Sequence, residues 1–95
     1  MLTYKAAYTF VEEGVHAQLL DFPSAITCGV DLNEARRMLC SALVELAEFY
    51  IERGRPLPRP NPLITSLDAD LEEPLYLHLR ASTGVKLKPS GIVVP

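Results

Sequence analysis

The chain has 95 residues, 48% of them hydrophobic and 22% charged, which is the composition of one folded domain and too little length for two independent cores. Its formal net charge of −3 argues against direct nucleic-acid binding, because no excess of positive charge is present to neutralise phosphates. The apolar runs are too short to cross a bilayer, and the first residues lack the features of a secretory signal. The sequence therefore predicts a single cytoplasmic domain over residues 1–95, without membrane contact.

Alternating apolar residues predict a hairpin at the start of the chain. One face of the first strand would carry Leu2, Tyr4, Ala6, Tyr8 and Phe10. Glu12 and Glu13 interrupt the alternation, and Gly14 can take the positive φ that a tight turn needs. The second strand would bury Val15, Ala17 and Leu19 and expose His16 and Gln18. A short third strand is predicted over residues 26–30.

A long amphipathic helix is predicted over residues 31–53. Asp31 and Glu34 have the spacing of a capping box, and Gly54 is a stop signal. The face predicted to pack on the sheet is Leu32, Ala35, Leu39, Ala42, Leu46 and Phe49, widened by Met38, Leu43, Ala47 and Tyr50. The side predicted to face solvent is Asn33, Arg36, Arg37, Ser41, Glu45, Glu48 and Glu52.

After the helix, residues 55–62 (RPLPRPNP) predict a stiff, extended, proline-rich connector. A fourth strand is predicted from Leu75 to Ala81, directly after Pro74, so that the domain core spans residues 2–81. Residues 85–95 are compatible with either a further strand or a tail. The order predicts an α+β fold of two layers, β-β-β-α-β, with one long helix on one face of a mostly antiparallel sheet. Ala7, Val11 and Leu20 would leave the other face bare, so we expect a partner or a second copy to cover it.

Candidates for catalysis are few, and we expect no catalytic, cofactor-binding or metal-binding residues and no enzyme activity. His16 and His78 lie at polar positions of their strands, where a solvent-facing imidazole is the usual outcome. Cys28 and Cys40 lack the ligand spacing of a zinc site and are interpreted as small buried hydrophobes in a reducing compartment. The carboxylates do not converge as a two-metal nuclease requires, and no glycine-rich phosphate loop is present.

Carboxylates are concentrated on the outer side of the helix, at Glu45, Glu48 and Glu52. This strip is either a solvated face or, together with Asp68, Asp70, Glu72 and Glu73, a docking surface for a basic partner. The candidate partner-binding residues are therefore Glu45, Glu48 and Glu52 on the helix, with Arg55 and Arg59 on the proline-rich connector.

The residues from Tyr4 to Pro60 carry a combination of motifs that resembles the HicB-like antitoxin family. These motifs are the opening strand with Tyr4 and Ala6, the EEG turn at 12–14, the segment DFPSAITCGVDLNEA at 21–35, and the glycine and Pro-Leu-Pro at 54–58. Positions that fit the family pattern are Asp21, Phe22, Pro23, Thr27, Gly29, Glu34, Ala35, Gly54, Pro56, Leu57 and Pro58. Ser24 and Ala25 replace the usual Gly-Cys, and Val30 replaces an acidic residue.

Because the sheet face opposite the helix would be bare, we expect the chain to self-associate. The resemblance implies a degenerate, ribonuclease H-like fold without the nuclease carboxylates, in a single-domain antitoxin. It also implies a partner, a small basic toxin of the HicA type that cleaves messenger RNA. Since the residues after Pro62 show no basic recognition helix, we expect no DNA-binding module of its own. The alternative is an orphan HicB-like domain, without a toxin, that self-associates or binds a small ligand. The least favoured interpretation is an enzyme.

Overall fold

Five strands and one helix make up residues 2–81 and 85–90, the part of the chain that the computed structural model describes. The elements are β1 (Leu2–Val11), β2 (Gly14–Leu19), β3 (Ile26–Gly29), α1 (Leu32–Glu52), β4 (Leu71–Ala81) and β5 (Val85–Ser90). The strands form one sheet in the order β3-β2-β1-β4-β5, and every pairing between neighbours is antiparallel. The α+β class is confirmed. Residues 85–90 form a strand rather than a tail, and residues 91–95 lie outside the described residues.

The β1–β2 hairpin and the start of the helix depend on two glycines. Gly14 has φ 152°, as the tight turn requires, and an added Cβ there would lie 2.3 Å from the carbonyl oxygen of Gly29. An added Cβ at Gly29 would lie 2.5 Å from the backbone nitrogen of Ala35. At both positions only a residue without a Cβ allows the backbones of the hairpin, β3 and the first turn of α1 to approach so closely.

The predicted caps of α1 are present in the structure. The Asp31 carboxylate accepts a 2.8 Å hydrogen bond from the backbone N–H of Glu34, and Glu34 accepts one of 2.9 Å from Val30 N–H. At the other end Gly54 has φ 65°, and its N–H donates to the carbonyl of Ile51. In the described part of the chain, α1 is not long and apolar enough to cross a membrane, and it is the only helix there.

The core lies between α1 and the sheet, but the buried line of the helix differs from the predicted stripe. Its fully buried residues are Ala35, Leu39, Leu43 and Ala47. Met38 and Phe49, predicted to pack on the sheet, keep 47% and 44% of their surface exposed. In β1, Tyr4, Ala6 and Tyr8 are buried as predicted, whereas Phe10 at the strand end is 52% exposed. The apolar stripe is wider than the sheet surface beneath it, so one flank of the helix stays uncovered.

Strand β4 begins at Leu71 rather than at the predicted Leu75, and Pro74 lies inside it. Two bonds of 2.8 Å start the pairing with β1: Asp70 N–H donates to the carbonyl of Tyr8, and the Asp70 carboxylate accepts from Phe10 N–H. Pro74 pairs with Lys5, while β5 pairs only with residues 76–81 in the described chain. A proline is tolerated there because β5, as far as the structure describes it, does not extend along this part of β4. The missing N–H of Pro74 therefore interrupts no backbone hydrogen bonding between described strands.

The sheet face opposite α1 is less bare than predicted. The whole segment between α1 and β4, residues 53–70, is called the connector from here on, and it crosses this face. Thr65 Oγ1 and Ser66 N–H donate to the carboxylate of Glu72, and Glu72 points away from the helix. Ala7 on this face is only 7% exposed. A segment of the same chain therefore covers part of the surface that we expected a partner to cover.

The contact between β3 and the helix start gives a first prediction. Replacing Gly29 with alanine places a methyl group against rigid backbone of the first helical turn, so we expect the free energy of unfolding to fall by about 1–3 kcal/mol. Urea denaturation followed by circular dichroism measures this. Ser41→Ala, at an exposed helix position, is the control and should change stability by less than about 0.5 kcal/mol. Equal stability of Gly29→Ala and the native chain would contradict the close approach.

Candidate functional site

The acidic strip of α1 is exposed, as predicted. Glu45, Glu48 and Glu52 all have exposed side chains. Within residues 2–77, none of the three takes part in an ion pair or a side-chain hydrogen bond. Glu52 also lies in the last turn of the helix, where the macrodipole disfavours negative charge by about 0.3–1 kcal/mol. Helix stability alone does not account for a carboxylate at this position.

Next to the acidic strip lies the incompletely covered side of the helix, here called the apolar flank: the exposed Met38 and Phe49 and the half-buried Ala42 and Leu46. It borders a groove of about 430 Å³ that is lined by Ser24, Ala42, Glu45, Leu46 and Phe49. The guanidinium of Arg53 lies 4.2 Å from the centre of the Phe49 ring. An exposed aromatic and an exposed methionine beside free carboxylates have the character of a protein-binding surface.

The orientation of the helix is set from its opposite side. Arg36, predicted to face solvent, instead donates from Nε and Nη2 to the two carboxylate oxygens of Glu73, at 2.8 and 3.1 Å. Glu73 is only 8% exposed on the helix-facing side of β4. This bidentate pair holds one side of α1 against β4, and the apolar flank is consequently turned toward β3.

Tyr8 and Cys40 lie beside this ion pair. Burial, followed by the neighbouring Glu73 carboxylate, raises the pKa of both side chains, and the hydrogen bonds to Glu73 raise the pKa of Arg36. Among the described residues, the buried Tyr8 hydroxyl has no hydrogen-bond partner. Arg36, Glu73, Tyr8 and Cys40 therefore form one packed cluster that joins the helix to the sheet.

The other two candidate residues, Arg55 and Arg59, are exposed but lie apart from the acidic strip. The guanidinium of Arg55 is 5.4 Å from the ring centre of Tyr50, which packs on the buried side of the helix. The connector that carries both arginines is fixed, because Tyr4 Oη donates a 2.7 Å hydrogen bond to the carbonyl of Pro58. The structure thus brings the three glutamates together on one face and does not bring the arginines to them.

The Asp21 carboxylate holds the far end of the same connector. It accepts hydrogen bonds from the backbone N–H groups of Asn61, at 2.7 Å, and Lys5, at 3.1 Å. Phe22 follows directly, and its ring contacts Tyr4 and Tyr50 at centroid distances of 5.9 and 5.2 Å. Asp21 and Phe22 therefore have structural roles at this end of the molecule.

Of the four acidic residues that one interpretation of the sequence added to the strip, Asp70, Glu72 and Glu73 have hydrogen-bond partners within the chain. Asp70 accepts from Phe10 N–H, and Glu73 is buried against Arg36. Glu72 accepts from Thr65 and Ser66, and its Oε1 lies 3.6 Å from Lys5 Nζ; these bonds lower its pKa. Three of the four carboxylates are thus used within the chain.

A cavity of about 600 Å³ lies between the connector and the sheet. Its walls are mainly apolar and are formed by Leu2, Thr3, Tyr4, Lys5, Pro60, Asn61, Pro62, Glu72, Glu73 and Pro74. This volume is in the range of small-ligand pockets. Lys5 and Glu72 are its charged side chains with exposed surface, and they are paired with each other.

Cys28 was interpreted as buried, and this is wrong. It is exposed on β3, directly opposite the exposed His16 of β2, on the sheet face away from the helix. Cys40 is half-buried, as a small hydrophobe would be. His78 lies on β4, and its side chain is outside the described part of the chain. Within the described residues, no three His, Cys, Asp or Glu side chains come close enough to hold a metal ion.

Sequence reasoning missed the apolar flank and the exposure of β3. The sequence did contain a signal of an unprotected edge at β3, because residues 22–30 (FPSAITCGV) carry no charge. In the structure Ile26 and Val30 of this segment are 64% and 73% exposed. No protein-family model matches the chain, and no curated protein matches it. The function is therefore argued from the site itself.

The anchored connector gives a second prediction. Burial, followed by the Asp21 charge, raises the pKa of Tyr4 from 10.0 to about 12. Because the unfolded chain ionises first, the contribution of Tyr4 to stability is complete below pH 10 and is lost as the pH rises toward 12. Between pH 9 and pH 11 the native chain should lose about 1 kcal/mol more stability than Tyr4→Phe, as measured by urea denaturation. Equal losses in the two chains would show that Tyr4 is not buried against the connector.

Proposed function

We propose that this chain is a protein-binding module of the HicB-like antitoxin type, which binds and neutralises a small basic toxin that cleaves messenger RNA. The observation that carries the proposal is the acidic strip of α1, three exposed carboxylates that have no ion-pair or side-chain hydrogen-bond partner within residues 2–77, beside the apolar flank. Carboxylates in this setting attract a basic protein and increase its rate of association, while the apolar residues supply contact area. An RNA-cleaving protein needs a basic surface for its substrate, so a protein bound there blocks RNA.

The remaining parts of the proposal follow the family resemblance. The fold is a degenerate ribonuclease H-like one, the protein acts in the cytoplasm, and it inhibits by binding rather than by chemistry. In support, Glu73, Arg36, Tyr8 and Cys40 form a packed structural cluster, and the motif residue Asp21 binds backbone N–H groups. Self-association belongs to the same proposal, although the connector covers part of the face first expected to mediate it.

A second candidate function is small-ligand binding by an orphan HicB-like domain, and the cavity of about 600 Å³ favours it. Its proline walls are rigid, and Lys5 and Glu72 offer one charge of each sign. The preference for the protein partner rests on the difference in pairing, because Lys5 and Glu72 are paired with each other, whereas the strip carboxylates have no partner within residues 2–77.

The proposal predicts that reversing the charge of the acidic strip weakens toxin binding. We expect the triple variant Glu45→Lys, Glu48→Lys, Glu52→Lys to bind the basic protein encoded by the neighbouring gene at least about tenfold more weakly, while its melting temperature stays the same or rises. Co-purification followed by calorimetric titration measures the affinity, and inhibition of RNA cleavage measures the function. Unfolding of the triple variant would instead assign the strip a structural role.

The matched control separates a local effect from a change in total charge. Glu12→Lys, Glu13→Lys, Asp68→Lys introduces the same charge change at three exposed positions outside the helix. It should retain most of the affinity. Equal loss of binding in both triple variants, or the lack of any basic partner, would reject the acidic strip as the toxin site.

A further inference from the structure

Strand β3 is an edge of the described sheet, and its ladder leaves one set of backbone groups pointing outward. Leu19 N–H donates to the carbonyl of Ala25 at 3.0 Å, so this pair is of the hydrogen-bonded type. Counting along the register, Thr27 faces β2 in the same way. The N–H and C=O groups of Ile26 and Cys28 therefore point away from β2, into the position of a missing neighbouring strand.

The two edge strands of the sheet differ in how they are protected against pairing. β5 carries Lys86, Lys88 and Pro89 in its six residues, and charge and proline are the usual means of blocking an edge. β3 has neither, and the surrounding residues 22–30 are uncharged. The sequence of β5 therefore disfavours pairing with a further strand, whereas the sequence of β3 does not.

The open edge and the apolar flank belong to one surface. Ser24, two residues before β3, lines the groove together with Ala42 and Phe49 of α1. Because the Arg36 and Glu73 pair holds the other side of the helix on β4, the flank lies on the β3 side. A strand added to β3 would place every second side chain against this flank.

Charge decides which occupant fits this surface. Glu45 lines the groove, and Glu52 lies two turns further along the same side of the helix. A second copy of this acidic chain would bring its own carboxylates toward them, whereas a basic strand would pair with them. We propose that the basic partner docks by adding an extended strand to β3. Its apolar side chains would lie on the flank and its cationic side chains at Glu45 and Glu52. This docking mode rests on the proposed function, because it presupposes a basic partner.

The test uses the full 95-residue chain and a short synthetic peptide whose odd-numbered residues are alternately valine and lysine, with threonine between them, so that valine and lysine side chains both lie on the helix side of the added strand. We expect the peptide to shift the amide NMR signals of Ile26, Cys28 and Phe49, and a peptide with glutamate in place of lysine not to bind. Cys28→Pro removes an outward N–H and should abolish binding without loss of the fold, whereas Cys28→Val keeps the N–H and should bind like the native chain. If Cys28→Pro does not fold, Ile26→Lys, which adds an edge-blocking charge, replaces it, with Leu67→Lys as the control at a fully exposed position.

Two results overturn the inference. One is full peptide binding by Cys28→Pro or Ile26→Lys, or peptide signals that map away from β3 and the flank. The other is a native dimer, measured by light scattering, that dissociates in these variants, since the occupant would then be a second copy. If the basic protein still binds the acidic strip while edge variants have no effect, the proposed function stands and only the docking mode fails. If nothing basic binds the native chain, both fail.

Discussion

Arg36 on the helix and Glu73 on β4 are joined by two charged hydrogen bonds of 2.8 and 3.1 Å. The Glu73 side chain is 8% exposed and that of Arg36 33%, so the pair adds little net stability because the desolvation of Glu73 offsets much of the attraction. Its effect is on orientation, since breaking it would leave Glu73 buried without a partner. The helix is thereby fixed in one rotation, with Leu39 and Leu43 on the sheet and Met38 and Phe49 uncovered.

The surface features follow from that rotation. The apolar flank faces the unprotected edge at β3, and the acidic strip borders the flank on its solvent side. The opposite end of the molecule is held by different contacts, because Asp21 and Tyr4 bind the connector through backbone groups of Asn61 and Pro58. These contacts hold the connector in place, whereas the β3 side of the helix carries the exposed side chains of Met38 and Phe49.

The elements themselves were largely predictable from local pattern. The capping residues Asp31 and Glu34, the turn at Gly14 and the alternation in β1 and β2 are short-range signals, and the structure contains all of them. The start of β4 was not predictable, because Pro74 argues locally against a strand and only the pairing with β1 makes it acceptable. The exposed glutamates were predicted from helical spacing. Ser24, which lies across the groove from Glu45, was not predictable as its neighbour because it is distant in sequence.

Composition and periodicity by themselves determined the class of the fold, the bounds of the helix and the exposure of Glu45, Glu48 and Glu52, since each depends on residues within a few positions of one another. Only the tertiary structure decided which side of a wide apolar stripe is buried, and that Cys28 is exposed. Both outcomes depend on partners distant in sequence, Glu73 for the helix and the sheet order for β3. A local pattern states that a residue can be buried, and the presence of a surface to cover it is a property of the whole fold.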